Sequence, residues 1–272
     1  MIAIVTETLC CMSEADLAAY GVLQVTLDCR VKGSVVADRI ITAEEPVPDG
    51  EGFSIPPSEE AYRTRFGQLL QTHDGVLCIT ASRRFSESHR HATLAAASFG
   101  GRVIVIDSGT VAGGLFLLVL RARHYVTLGF PMSRIKAELE SYKNALRASF
   151  TSSSAAVLQK SNKLSYRLPP VDPSVAEHPV FRIENGGIGV FSYAAGEEAI
   201  SRDLMRVFTD GRAPGRKPPS HVVVHYANYT PTVEYLIRRI RNTYPSATVY
   251  ERPITLSIQL NLGHDIVGVI GD

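Results

Sequence analysis

Short apolar runs alternate with amphipathic stretches through the first half of the chain. Residues 2–5, 23–27, 75–80 and 102–107 are apolar enough to read as buried strands. Helical patterning covers 13–20, 58 to about 72, 88–99 and 111–125. Ser13 and Ser58 stand at the starts of two of these stretches, as N-cap residues do, and Glu59 and Glu60 fall in the turn after Ser58. This order predicts a parallel sheet with helices on both faces, a Rossmann-like α/β domain over residues 1–150. Residues 46–52 read as a Pro- and Gly-rich loop. Residues 131–148 are predicted as one further helix, with Ile135, Leu139, Tyr142 and Leu146 on its stripe.

Past that helix the pattern changes. Residues 181–184 and 188–191 are β-rich and flank Asn185-Gly186-Gly187, a hairpin signature. A helix over 197–209, a basic and Pro-rich loop over 211–219, a strand over 221–226 and a helix over 232–244 follow. Strand-like pieces at 248–252 and 265–270 end the chain. Residues 151–272 are therefore expected to form an α+β domain. A length of 272 residues with 45% apolar content accommodates both domains.

A formal charge of +1 gives no reason to expect nucleic acid or an acidic membrane as the main partner. The first five residues lack the basic and apolar regions of a secretory signal. The longest apolar stretch, 111–120, stops at Arg121 and is too short to span a bilayer. Cys10, Cys11, Cys29 and Cys78 match neither a zinc spacing nor a disulfide framework, so reduced thiols in a cytoplasmic protein are expected. The adjacent Cys10 and Cys11 are the pair kept as candidates for reactivity. No G-x-G-x-x-G follows a strand and there is no Walker A sequence. His89 and His91 lack partners at metal spacing and are expected to face solvent. No cofactor and no metal are expected.

Candidate chemistry gathers where strands run into helices. In the stretch from Val76 to His89 an apolar run breaks into Ala81-Ser82-Arg83-Arg84-Phe85-Ser86-Glu87-Ser88. Helix N-termini offer unpaired N–H groups and favour anions, and ligands of open α/β sheets collect at strand carboxyl ends. Ser86 and Ser88 serve equally well as N-caps. Three other hydroxyl-rich segments are expected at the same edge: Thr6-Glu7-Thr8, the segment from Ser54 to Ser58, and Asp107-Ser108-Gly109-Thr110. Together they suit a carboxylate or phosphate held by neutral donors.

Read together, these segments resemble the DegV family of bacterial fatty-acid-binding proteins, over nearly the whole chain. Ile4-Val5-Thr6-Glu7-Thr8 resembles the family's opening Ile-Val-Thr-Asp-Ser, and Ser54-Ile55-Pro56-Pro57-Ser58 resembles its Thr-Ser-Gln-Pro-Ser. Phe85-Ser86-Glu87-Ser88 is similar to Leu-Ser-Gly-Thr, and Val105-Ile106-Asp107-Ser108 before Gly113-Gly114 is close to the family's Val-Ile-Asp-Ser and Gly-rich helix. The resemblance implies that one long-chain fatty acid, C14–C18, is enclosed between two domains and that the chain has no catalytic groups of its own. It also implies a fatty acid kinase as partner, to which the carboxylate is presented for acyl-phosphate formation.

Carried over, Ser54 and Ser86 take the places of the family's carboxylate-binding Thr and Ser. Asn261 stands where the family has His, with His264 three residues on. Lys163 stands where the family has Arg, keeping charge but losing bidentate geometry, and Arg83 is a second candidate charge contact. Glu87 replaces a Gly beside the expected carboxylate site. Phe150, Val157, Leu158, Ile258 and Leu260, with Leu262 and Ile266 nearby, are the candidate acyl-chain lining. Two further readings stay open: a serine-dependent acyl transferase or hydrolase using Ser86 and His264, and a binder of another small amphipathic carboxylate.

Overall fold

Four parallel strands, numbered along the chain, form the sheet of the amino-terminal half. They are β1 (Ile2–Glu7), β2 (Val22–Val25), β6 (Gly75–Thr80) and β7 (Val103–Asp107), in the order β2-β1-β6-β7. Every residue of β6 is buried, which is why its sequence is a continuous apolar run instead of an alternation. In this computed structural model residues 1–41, 52–152, 158, 164, 178–184, 187–210 and 217–272 are described. They belong to two compact units, Met1–Arg39 with Gly52–Ala145, and Ile40–Glu51 with Leu146–Asp272.

Helices cover the first sheet as the alternation predicts. α1 (Glu14–Tyr20) opens on a capping box, Ser13 Oγ accepting from the Asp16 N–H while Asp16 accepts from the Ser13 N–H. α2 (Glu59–Leu69) is capped by Ser58, whose hydroxyl accepts from the Ala61 N–H at 3.1 Å. Tyr62, Phe66 and Leu69 of α2 and Ala92 and Ala95 of α3 (Ser88–Ala96) pack on Ala3, Val5, Val76 and Cys78 of the sheet. α4 (Gly113–Thr127), buried from Gly113 to Val119, lies against β1 and β6, and α5 (Met132–Lys143) lies against α4.

A small antiparallel sheet in this unit went unanticipated. It has the order β4-β3-β5, from β3 (Asp28–Val31), β4 (Ser34–Ala37) and β5 (Gly52–Ile55). Lys32 and Gly33, both at positive φ (47° and 83°), make the two-residue turn between β3 and β4. That is hairpin geometry without the Asn-Gly or Asp-Gly signature that would announce it. Val35, Val36 and Phe53 are exposed, so burial left no alternating pattern to read.

The helix expected over 131–148 is corrected: α5 stops at Lys143, and β8 (Arg147–Thr151) follows. Leu146 continues the helical stripe by spacing alone. The segment is instead claimed on both sides, by β13 (Val267–Gly271) and β9 (His178–Glu184), each antiparallel to it. With β10 (Gly187–Ala194), β11 (His221–Tyr226) and β12 (Thr248–Pro253) these strands make a six-stranded sheet, ordered β10-β9-β8-β13-β11-β12. β9 and β10 pair as the predicted hairpin, whose turn at 185–186 lies outside the described residues, as do 42–51 and 211–216. Helices Gly196–Met205 and Pro231–Thr243 pack Leu204, Val233, Leu236 and Ile240 with Val222 and Val224 of β11 and Val267 and Val269 of β13. Leu256–Leu262 is a helix that periodicity missed. Among the described residues, no helix is long and apolar enough to cross a membrane.

Candidate functional site

The loops that leave the carboxyl ends of β1, β6 and β7 are stitched to one another. The Ser82 N–H donates to the Thr110 carbonyl at 2.8 Å, the Ser108 N–H to that of Thr80 at 3.1 Å, and the Ala112 N–H to that of Leu9 at 2.9 Å. Gly109, at φ +65°, lets the third loop turn, with its N–H donated to Asp107 Oδ1 at 2.9 Å. The entry to α2 joins them: His91 Nδ1 donates to the Pro57 carbonyl at 2.8 Å. Three of the four segments meet at one sheet edge, and the fourth touches α3 through Pro57.

Most of their hydroxyls are committed to the fold. Thr6 Oγ1 donates to the Ile79 carbonyl at 3.0 Å, Thr8 Oγ1 to Asp38 at 2.6 Å and Ser108 Oγ to the Thr110 carbonyl at 2.9 Å, and all three residues are buried. Ser54 is not in a loop as expected. It is a half-buried residue of β5, opposite Cys29.

Ser86 is half-buried, its Oγ 2.8 Å from Ser88 Oγ and accepting from the Ser88 N–H at 3.2 Å. Ser88 is not the cap that its position suggests. α3 begins one residue after Glu87, which occupies the cap position without a side-chain cap, and the Ser88 hydroxyl turns into the protein. Glu87 is exposed and pairs with Arg90 at 2.6 Å, a contact that holds its carboxyl below the usual range. Its charge therefore faces solvent.

The histidines are not simply solvent-facing. His89 is half-buried with Nδ1 3.2 Å from Thr80 Oγ1, and burial pushes its pKa down; His91 is half-buried on Pro57. Arg83 is exposed and reaches Asp107 at 3.5 Å. The thiols are corrected more firmly. Cys10 ends a buried 3₁₀ turn, Cys11 caps it in a left-handed conformation, and both are fully buried. Burial pushes the Cys10 thiol up to about 12, where it is neither thiolate nor nucleophile. A thiol reagent added to native protein is expected to label none of the four cysteines on the timescale at which it labels all four in denaturant; rapid labelling of Cys10 or Cys11 in native protein would contradict this placement.

In the second unit Phe150 lies on β8, buried and stacked on Phe181 with ring centroids 5.0 Å apart. Leu158 is fully buried. Ile258 and Leu260 lie on the helix Leu256–Leu262, the first buried and the second half-buried. Asn261 donates from Nδ2 to the Ser257 carbonyl at 2.7 Å, and His264 is exposed just past the helix, its carbonyl accepting from Asn228 at 3.3 Å. Val157 and Lys163 lie outside the described residues.

The residue missed from sequence is Glu7. It ends β1 fully buried, accepting from the Ala81 N–H and, at 3.5 Å, from the Tyr62 hydroxyl. Burial raises its pKa to about 7, opposed by the hydrogen bonds from Ala81 and Tyr62 and reinforced by the charge of Asp38. The available signal was its place one residue past the apolar run 2–5, on the same strand, where a carboxyl enters the core.

Among family models, that of the DegV family, described as an uncharacterised protein, matches residues 1–271. The chain belongs to the DegV family. A DegV domain-containing protein from Deinococcus radiodurans is 36% identical over 145 residues, a match covering 51% of this chain and about half, 52%, of that protein. Among solved structures, a fatty-acid-binding DegV-family protein from Thermus thermophilus superposes with a TM-score of 0.87 at 20% identity, over 99% of this chain and 98% of that one. A DegV-family protein from Eubacterium eligens loaded with heptadecanoic acid gives a TM-score of 0.83 at 13% identity, over 100% and 99%. These likenesses show that the chain has the DegV fold from end to end.

Proposed function

We propose that this DegV-family protein binds one long-chain fatty acid, C14–C18, without catalysing its conversion. One observation carries the reading: a half-buried hydroxyl, that of Ser86, stands at the carboxyl edge of a parallel sheet where three strand-to-helix loops meet, and the only carboxylate next to it in sequence, Glu87, turns to solvent. Ser86 and Ser54 hold the ligand carboxylate in this reading, as neutral donors to an acceptor-only group. Asn261 and His264 are the second unit's candidates for the same role. The acyl chain is assigned to Phe150, Val157, Leu158, Ile258 and Leu260. Each buried methylene contributes about 0.8 kcal/mol, so a chain of this length binds tightly even with a weakly held head. The fatty-acid-binding proteins of the same fold support the ligand class.

A serine hydrolase is less well served. Ser86 is bonded to a second hydroxyl, that of Ser88, where a nucleophile needs a base. Presentation of the carboxylate to a fatty acid kinase, with Arg83 and Lys163 as charge contacts, belongs to the same proposal as its partner-dependent step. The test is uptake of palmitate by delipidated protein, read by native mass spectrometry, with Ser86→Ala expected to weaken affinity roughly tenfold, the scale of one lost hydrogen bond to a charged group. Protein that takes up no C14–C18 acid overturns the reading.

A further inference from the structure

The six-stranded sheet has two faces of different character. Val222 and Val224 of β11 and Val267 and Val269 of β13 pack on the helices Gly196–Met205 and Pro231–Thr243. Side chains alternate along a strand, so His225 of β11 and Gly268 of β13 belong to the opposite face. The register carries that face across the sheet. His225 stands opposite Gly268, Gly268 opposite Phe150 of β8, and Phe150 opposite Phe181 of β9, on which its ring is stacked. Phe150 is one of the residues assigned to the acyl chain. At Gly268 a Cβ would come 3.1 Å from that of Phe150, so even alanine would crowd this face. No side chain therefore stands between Phe150 and His225.

His225 is only 5% exposed. Its Nδ1 lies 3.0 Å from the Arg252 carbonyl, which can only accept, so the ring proton sits on Nδ1. Burial pushes the imidazole down to about 4 against this hydrogen bond, so the ring is neutral near pH 7. Nε2 is thus a bare acceptor, buried and without a donor among the described residues. An acceptor closed off from water in this way costs about 1–3 kcal/mol. Ser201 Oγ and Gln259 Oε1 are also buried without partners, but a hydroxyl rotates and an amide can reverse. The imidazole is pinned through Nδ1, so its deficit stays in place.

We propose that His225 Nε2 accepts a hydrogen bond from a hydroxyl carried part-way along the acyl chain, which makes a hydroxylated long-chain fatty acid the preferred ligand. The inference rests on the fatty-acid reading and deepens it by naming the ligand class. A plain chain leaves Nε2 against methylenes. A hydroxyl supplies the missing donor, and the cost of taking that hydroxyl out of water is offset only where an acceptor meets it. The ligand carboxylate cannot fill the role, because once ionised it has no proton to donate.

Titration calorimetry on delipidated protein tests this, with stearate and with stearic acids that each carry one hydroxyl at a different mid-chain carbon, all kept below their aggregation concentrations. One positional isomer is expected to bind roughly tenfold more tightly than stearate, the scale of one hydrogen bond made at an acceptor otherwise left unpaired. His225→Leu is expected to bind stearate at least as tightly as the wild type and to lose the preference. His225→Asn separates the acceptor from the Arg252 contact: its amide can still donate to that carbonyl, but nothing replaces Nε2. It is expected to lose the preference as well, and it keeps the test open if His225→Leu does not fold. A wild type that binds no isomer more tightly than stearate overturns the proposal, assigns Nε2 to a buried water, and leaves the fatty-acid reading standing. A preference retained in His225→Leu or in His225→Asn overturns the proposal in the same way. Protein that binds neither stearate nor any isomer removes the fatty-acid reading, and the proposal with it.

Discussion

Phe66→Ala is expected to cost about 3–5 kcal/mol of stability, the usual range for removing a buried phenyl ring from a core. Phe66 is fully buried in α2, with its ring 5.8 Å from that of Tyr62 and edge-on to Phe99 at 6.1 Å. It joins the helix pair α2 and α3 to Val5, Val76 and Cys78 of the sheet. The void left by alanine is bounded by strands that cannot move without breaking their ladders, so little of it can close. Tyr62, one turn earlier, donates to Glu7, so the same cavity loosens the packing around that buried carboxyl. Urea denaturation followed by circular dichroism measures the loss. A change below about 1 kcal/mol would mean that α2 is not fixed on the sheet by this face.

The strands and helices that build this region were legible because burial wrote itself into their sequences. β6 is apolar throughout since helices cover both faces, and Ser13 and Ser58 announce their helices through caps that are in fact made. What stayed hidden has particular causes. Lys32-Gly33 turns a hairpin without the residues that normally signal one, and β3, β4 and β5 are too short and too exposed to show alternation. β8 carries on the spacing of α5, and only pairing to β9 and β13 makes it a strand. In Leu256–Leu262 the polar Ser257 and Gln259 are buried along with Leu256 and Ile258, so no polar face marks the helix.

The site divides in the same way. The turn holding Ser86 and Ser88 was found from sequence at the correct strand end. The fold changes only the expectation for Ser88, because α3 starts after Glu87 and leaves Ser88 as an interior hydroxyl in place of a cap, with Ser86 still at the margin. Whether a carboxyl at position 7 is ionised depends on α2 and α3 closing over it, residues 55 and more away along the chain. No local pattern carries that information.

Glu7→Gln is accordingly expected to stabilise the protein at alkaline pH and to lose this advantage in acid. An ordinary glutamate in the unfolded chain titrates near 4.5, and burial moves Glu7 in the fold to about 7. Below 4.5 both states carry the proton and the shift costs nothing. Between the two values the folded protein keeps a proton that the unfolded chain has lost, so stability falls as pH rises through this window. Above 7 both states are ionised and the full cost is present, about 3 kcal/mol for a shift of this size. Glutamine cannot ionise and keeps an oxygen for the Ala81 N–H. Its advantage over wild type should therefore approach about 3 kcal/mol near pH 8 and shrink toward zero near pH 4, as measured by urea denaturation of lipid-free protein at both values. A gap of the same size at the two pH values would show that Glu7 is not titrating in the fold.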